Sequence, residues 1–280
     1  MTGPHPTPAL PGLLPAAATT ATVYSTMGRS PGTSESVLPI TPEPATAPLL
    51  LQLATRAIGM TGADIERVVR QARLTARRER RPLRYDDIEA GIRDHRPALP
   101  HDVRWRFAIH EAGHAVVHHA LGLGGIKGLT IDAADGGYNM LSYGGSNTDT
   151  LTWHEHMLAM LMGGRAAELL VLNSASTGSA GADRSDLAKA TDLALAMETT
   201  LGLGGVRPLL YLPHKSPSEV LTYDRELAGR VHVRIETGLE LAMEVLELNR
   251  PPLDALVRAL FDAQALDGPA VMAILRDAWG

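Results

Sequence analysis

The chain has 280 residues, 45% hydrophobic and 20% charged, with 26 basic against 31 acidic side chains and a formal charge of −5. That length supports one to two domains with a real core, and the charge offers no field for nucleic acid or an anionic membrane. The absence of cysteine excludes disulfides, cysteine zinc sites, iron–sulfur clusters and a thiol nucleophile. Lysine occurs only at 127, 189 and 215, never after a glycine, so no Walker A loop is present. No apolar run reaches the ~18–20 residues that cross a bilayer. The apolar stretch Ala9–Ala21 is broken by Pro11 and Pro15 and has no basic region before it. A soluble, cytoplasmic chain is expected.

Residues 1–49, rich in Pro, Thr, Ala, Ser and Gly, show no lasting period and read as a disordered or degenerate segment. From residue 50 the texture changes. Thr61 and Asp64 form a capping box, after which Ile65, Val68, Val69 and Ala72 recur at helical spacing. Arginines at 67, 70, 73, 77, 78, 80 and 81 populate the rest of that helix and read as a solvated face. Pro82 stops it, Tyr85 opens a short second helix, and Arg93–Pro100 reads as a linker.

Asp102 is a plausible N-cap for a helix over Val103–Leu121 that ends at Gly122. Ile126–Asp132 is a strand with Leu129 and Ile131 on one face and Thr130 and Asp132 on the other. Asp135-Gly136-Gly137 signals a turn into a returning strand over Tyr138–Tyr143. A second capping box at Thr152–Glu155 opens a helix to about Leu172, and Asn173–Asp183 is a small-residue loop. Helices follow near Ser185–Leu201, Tyr223–Asn249, Leu253–Ala263 and Gly268–Trp279, the last capped by Asp267. The fold class is mainly α with a small β-hairpin or sheet.

The strongest chemical signal is His110-Glu111-Ala112-Gly113-His114. Helical positions four apart lie ~400° round and ~6 Å up, so both imidazoles project from one face toward one point, as Zn²⁺ requires. Glu111 lies ~100° from His110, beside the metal and off the ligand axis, placed to take a proton from an activated water. For this composition about 0.02 such matches are expected by chance. Two uncompensated histidines among Phe107, Ile109, Val116 and Val117 would be costly to bury with nothing to bind. A catalytic shell needs a third protein ligand. His118, two turns beyond His110, spreads the set over ~12 Å of axis and is excluded; His118 and His119 read as ordinary helix histidines. Glu168, Asp183 and Asp186 remain, and spacing does not choose among them.

Residues Ile109–Val117 closely resemble the peptidase domain of the FtsH family of AAA+ zinc proteases. The similarity runs on through Gly163–Glu168, Asp186–Thr191, Asp224–Glu226, Ala242–Leu246, Asn249-Arg250 and Leu266–Gly268. Upstream, Gly59–Ile65 is similar to the segment that opens the AAA+ helical lid. The resemblance implies an HExxH zinc-peptidase helical domain over 98–280, preceded by a lid-like helical segment over 50–97. It also implies zinc ligands at His110, His114 and Asp186 and a general base at Glu111, with Glu168 left to helix packing or to a contact behind a ligand. In that family an ATPase ring threads unfolded substrates into a hexameric peptidase ring. The ATPase motifs and membrane anchor have no counterpart in these residues, and the loop Thr177–Asp186 is longer than the common form.

The expected function is zinc-dependent hydrolysis of unfolded or extended polypeptides by a homo-oligomer, a hexamer by resemblance, without an ATPase of its own. The alternative is a regulatory or scaffold subunit that assembles with a complete ATP-dependent protease. A third reading has the peptidase served by a separate AAA+ ATPase. Strand addition along an edge of the strand pair around Leu129–Ile131 and Tyr138–Ser142 would bind substrate main chain and make specificity broad.

Overall fold

The structure, a computed structural model, describes residues 47–57, 59–95, 99–133, 136–144, 149–177, 185–213 and 216–279. The expectation for 1–46, the turn residue Asp135 and the candidate ligand Asp183 therefore lie outside the described residues. What is described is mostly helical with one three-stranded antiparallel sheet, as expected. No described helix is long and apolar enough to cross a membrane.

Helix α1 spans Ala47–Arg56, three residues ahead of and into the helical segment expected from residue 50 but not singled out within it, and α2 spans Gly62–Arg78. The Thr61 capping box is present: the Thr61 hydroxyl accepts from Asp64 N at 3.2 Å and Asp64 returns the bond to Thr61 N at 3.1 Å. The buried stripe is Val68, Ala72 and Ala76, one turn later than the expected set, and Ile65 is exposed. Helix α3, Tyr85–Asp94, is tied to the connection that precedes it by a two-pronged contact in which Arg81 donates to both carboxylate oxygens of Asp87 at 2.6 and 2.7 Å.

Helix α4 runs His101–Ala120 and is the axis of the core. It starts before Asp102, with Pro100 at the N-cap, so Asp102 lies in the first turn and complements the helix dipole rather than capping it. Every residue from Ala108 to His118 is buried, because α5 (Leu151–Leu172), α9 (Arg250–Ala263) and the sheet cover it on several sides. At the α4–α5 crossing a β-carbon on Gly113 would overlap the Gly163 carbonyl. Two glycines thus let the backbones meet. The α5 cap is Thr150, whose hydroxyl accepts from Trp153 N at 3.2 Å, in place of the expected box at Thr152. Helix α5 also packs along α8 (Arg225–Leu248), which starts after an Asp224 cap and a short unexpected helix, α7 (Pro217–Tyr223). Helix α6 (Asp186–Thr199) begins at its Ser185 cap, and α10 (Gly268–Trp279) at Asp267, which accepts from Ala270 N at 2.9 Å.

Strands β1 (Gly124–Ala133) and β2 (Gly136–Tyr143) form the expected hairpin, and β3 (Ala265–Asp267) adds to the far side in the order β2-β1-β3. β3 is too short to show a period in the sequence. Thr130 was expected on the open face but is fully buried. The central strand is covered on both sides, by α4 and by α1 and α10, and the Thr130 hydroxyl donates to Gln264 O.

Candidate metal centre

The two histidines of α4 stand one turn apart with their rings edge to face, 4.7 Å between centroids. What orients them comes from α5. His114 Nδ1 lies 2.7 Å from the Met160 carbonyl, which only accepts, so Nδ1 carries the proton and Nε2 presents a lone pair. His110 Nδ1 lies 2.8 Å from Glu168 Oε1, and the same reasoning turns its Nε2 inward. Gly164 makes room for this ring, since a β-carbon there would overlap it.

The first turn of α6 brings in the third group. Asp186 Oδ2 lies 3.2 Å from His110 Nε2 and 3.2 Å from His114 Nε2, while the two Nε2 atoms are 3.1 Å apart. Three electron-pair donors so close together repel unless positive charge sits among them. Bonds of ~2.0–2.1 Å at tetrahedral angles place neighbouring donors ~3.3 Å apart, close to this near-equilateral triangle. His110, His114 and Asp186 therefore form a group that could hold a metal ion. Electrostatics agree: burial alone pulls the His110 imidazole down, but its hydrogen bonds with Asp186 and Glu168 outweigh burial and raise it to about 10. Burial pushes the Asp186 carboxyl up, and its bonds to His110 and His114 overcome this and hold it well below the usual carboxylate range. The carboxylates of Glu168 and Asp186 thus favour positive charge on or beside the His110 ring.

Glu111 is next to the triangle and outside it. Burial raises its carboxyl, which His110 and His114 draw back down, and the Asn139 amide of β2 donates to it. The Asn139 nitrogen also reaches the Glu111 carbonyl at 3.3 Å. Gly137, two residues before Asn139 on the same strand face, leaves the space that the Glu111 carboxylate fills.

Glu168 lies behind His110. Its side chain is 1% exposed and accepts from His110, from Arg106 at 2.7 Å, from Ser176 N at 2.7 Å and from the Ser176 hydroxyl at 3.0 Å. Burial pushes its carboxyl up, and these bonds overcome that and lower it to about 2. His118 is fully buried against Tyr143, its ring nitrogens without a hydrogen-bond partner among the described residues, and it stands apart from the donor triangle. His119 stacks on Trp279. Sequence reasoning missed Arg106, Gly137, Asn139, Met160 and Ser176. Gly137 carried a signal that was read as a turn; the others carried none.

Two buried histidines and one half-buried carboxylate on a helical scaffold, with a glutamate beside them, have the donor set of a metallopeptidase-type centre. Residues 98–274 match the model of peptidase family M41, and the chain belongs to that family. It is 33% identical over 248 residues to the ATP-dependent zinc metalloprotease FtsH 3 of Sphaerobacter thermophilus, covering 80% of this chain and 47% of that protein. It is 33% identical over 239 residues to FtsH of Mycoplasma genitalium (78% of this chain, 33% of that protein) and 32% over 247 residues to FtsH 2 of Symbiobacterium thermophilum (81% and 41%). The chain thus spans about half or less of the length of these relatives. Zinc is the metal their names record, and it suits the nitrogen and oxygen donors found here.

Proposed function

We propose that the chain is a zinc-dependent endopeptidase in which His110, His114 and Asp186 hold the ion and Glu111 is the general base. One observation carries this reading: the donor triangle lies directly beside a buried carboxylate that takes no part in it. Zinc held by these residues supplies Lewis acidity, polarising a peptide carbonyl and acidifying a water. Glu111 accepts the proton of the attacking water and later delivers it to the departing amine, so its proton count closes over one turnover. Burial keeps its proton affinity above that of a solvated carboxylate, which suits a group that must both take and return a proton. Glu168 and the Met160 carbonyl keep the imidazoles in the tautomer that offers Nε2.

The substrate in this reading is an unfolded or extended polypeptide. β2 is the terminal strand of the sheet and carries Asn139 against Glu111, so a substrate strand added to its edge runs past the base. Recognition through main-chain bonds makes the specificity broad. Residues 50–97 act as a lid-like segment and 98–280 as the peptidase domain, assembled with copies of itself as a hexamer. Residues 1–280 contain no Walker A loop, so any coupling to ATP falls to residues outside them, as in a separate AAA+ ATPase.

Zinc content and hydrolysis of an unstructured peptide, measured on wild type and Glu111→Gln, test the reading. Wild type is expected to hold about one zinc per chain and cleave the peptide without ATP. Glu111→Gln is expected to keep the zinc and lose cleavage. Undiminished cleavage by that variant overturns the role of Glu111, and zinc-loaded wild type that cleaves nothing returns the chain to a scaffold role.

A further inference from the structure

We propose that Arg106 is a positioning residue that sets the zinc affinity of the centre by locking Glu168 against His110. The proposal rests on the reading of His110 as a ligand. Arg106 lies on α4 one turn before His110, on the same face. Its Nη1 donates to Glu168 Oε2 at 2.7 Å and to the Ser174 carbonyl at 3.0 Å, and its Nη2 lies 3.2 Å from the Ser174 hydroxyl. The other carboxylate oxygen, Oε1, is the one that faces His110 Nδ1, at 2.8 Å.

A carboxylate has two oxygens about one hinge, so fixing Oε2 fixes where Oε1 points. Among the described residues Arg106 is the only arginine or lysine that pairs with Glu168. A buried carboxylate without its partner swings toward other donors or toward solvent. With Arg106 gone, the carboxylate keeps Ser176 among the described residues, its amide on Oε2 and its hydroxyl on Oε1, but loses its charged partner, and the anchor that orients the His110 ring loosens.

The guanidinium is itself braced by Ser174, the second residue after α5, whose carbonyl accepts from Nη1 and whose hydroxyl meets Nη2, and this brace holds it against Glu168. The guanidinium serves the carboxylate and the Ser174 carbonyl from Nη1 and the Ser174 hydroxyl from Nη2, and a lysine ammonium, with a single nitrogen, cannot reproduce that two-nitrogen geometry.

The test is the zinc dissociation constant, measured by competition with a chromogenic chelator on the 280-residue chain, with the melting temperature of the chelated protein recorded in parallel. Arg106→Leu and Glu168→Gln are each expected to weaken zinc binding about ten- to a hundred-fold. Arg106→Lys is expected to fall between wild type and Arg106→Leu. The double variant is expected to bind no more weakly than Glu168→Gln alone, because Arg106 acts through Glu168. Wild-type affinity in Arg106→Leu, with only a lowered melting temperature, overturns the proposal and leaves a structural brace. Independent, multiplying losses in the double variant overturn it as well. If Arg106→Leu does not fold, Arg106→Lys decides: a several-fold loss supports the proposal and wild-type affinity overturns it. Failure of wild type itself to bind zinc sinks the underlying reading of the centre and is seen before any variant is made.

Discussion

Gly137 faces the Glu111 carboxylate with no room for a β-carbon between them. The strand that borders the proposed substrate path therefore also fixes the rotamer of the proposed base, and the Asn139 amide from the same strand face donates to it. Base and strand edge form one mechanical unit.

Gly137→Ala is expected to displace the carboxylate and lower kcat by about 10²-fold, the cost of misplacing a reacting group by ~1 Å. Zinc content is expected to stay at the wild-type level, since no donor of the triangle touches Gly137. Metal analysis beside peptide hydrolysis checks both halves. Loss of zinc together with activity would show that the strand supports the metal and not the base.

The α4–α5 crossing makes a stability prediction. Gly113→Ala forces a methyl into the Gly163 carbonyl and the Ala167 side chain, in backbone that cannot give way easily. The expected loss is about 1–3 kcal/mol, as for overpacked cores, read as a lower urea midpoint with an unchanged slope. His110 and His114 flank this contact on α4, so weaker zinc binding should accompany the loss.

Metal removal should destabilise the whole chain. The centre joins α4 to α6, and α5 orients both histidines. A ligand bound only by the native state stabilises it by about 2.7 kcal/mol when free ligand is a hundred times the dissociation constant. Chelator is expected to lower the melting temperature of wild type and added zinc to restore it. His114→Ala, which removes one donor, should show a much smaller difference between the two conditions.

The α2–α3 pair predicts a pH dependence. The Arg81 guanidinium and the Arg84 amide hold the Asp87 carboxyl at about 2, below its ordinary value. A carboxyl lowered in the folded state contributes stability above its unfolded value of about 3.9 and loses it as pH falls through the folded value. Asp87→Asn should therefore lower the urea midpoint by a constant amount from pH 7 to about 4, with the difference from wild type narrowing below that. A difference that grew on acidification would contradict the assignment.

Much of the architecture was legible because it is local. The Thr61 box, the Asp267 cap, the start of α6 near Ser185, the β-hairpin and the length of α4 each depend on residues within a few positions of one another. Errors fell where a neighbour in space overrode the local pattern. Thr130 alternates as an open-face residue, yet helices cover both faces of its strand. Asp102 and Thr152 are good cap residues standing one or two positions inside helices that Pro100 and Thr150 begin. Helices α1 and α7 and strand β3 are too short or too plain to announce themselves.

The centre divides along the same line. With no cysteine in 280 residues, any zinc donors had to be histidine or carboxylate, and His110 and His114 share a helix face by spacing alone. That much belonged to the sequence. Which carboxylate meets them did not follow from spacing, and Asp186 entered only through the family resemblance, because Glu168 and Asp186 are 58 and 76 residues from His110 and both end within hydrogen-bonding reach of it. Only the packing of α5 and α6 on α4 sends Asp186 to the Nε2 side of the ring and Glu168 to the Nδ1 side. Once the chain turns, separation in sequence no longer measures distance, and the difference between a donor and its support is decided by which side of one imidazole each helix delivers.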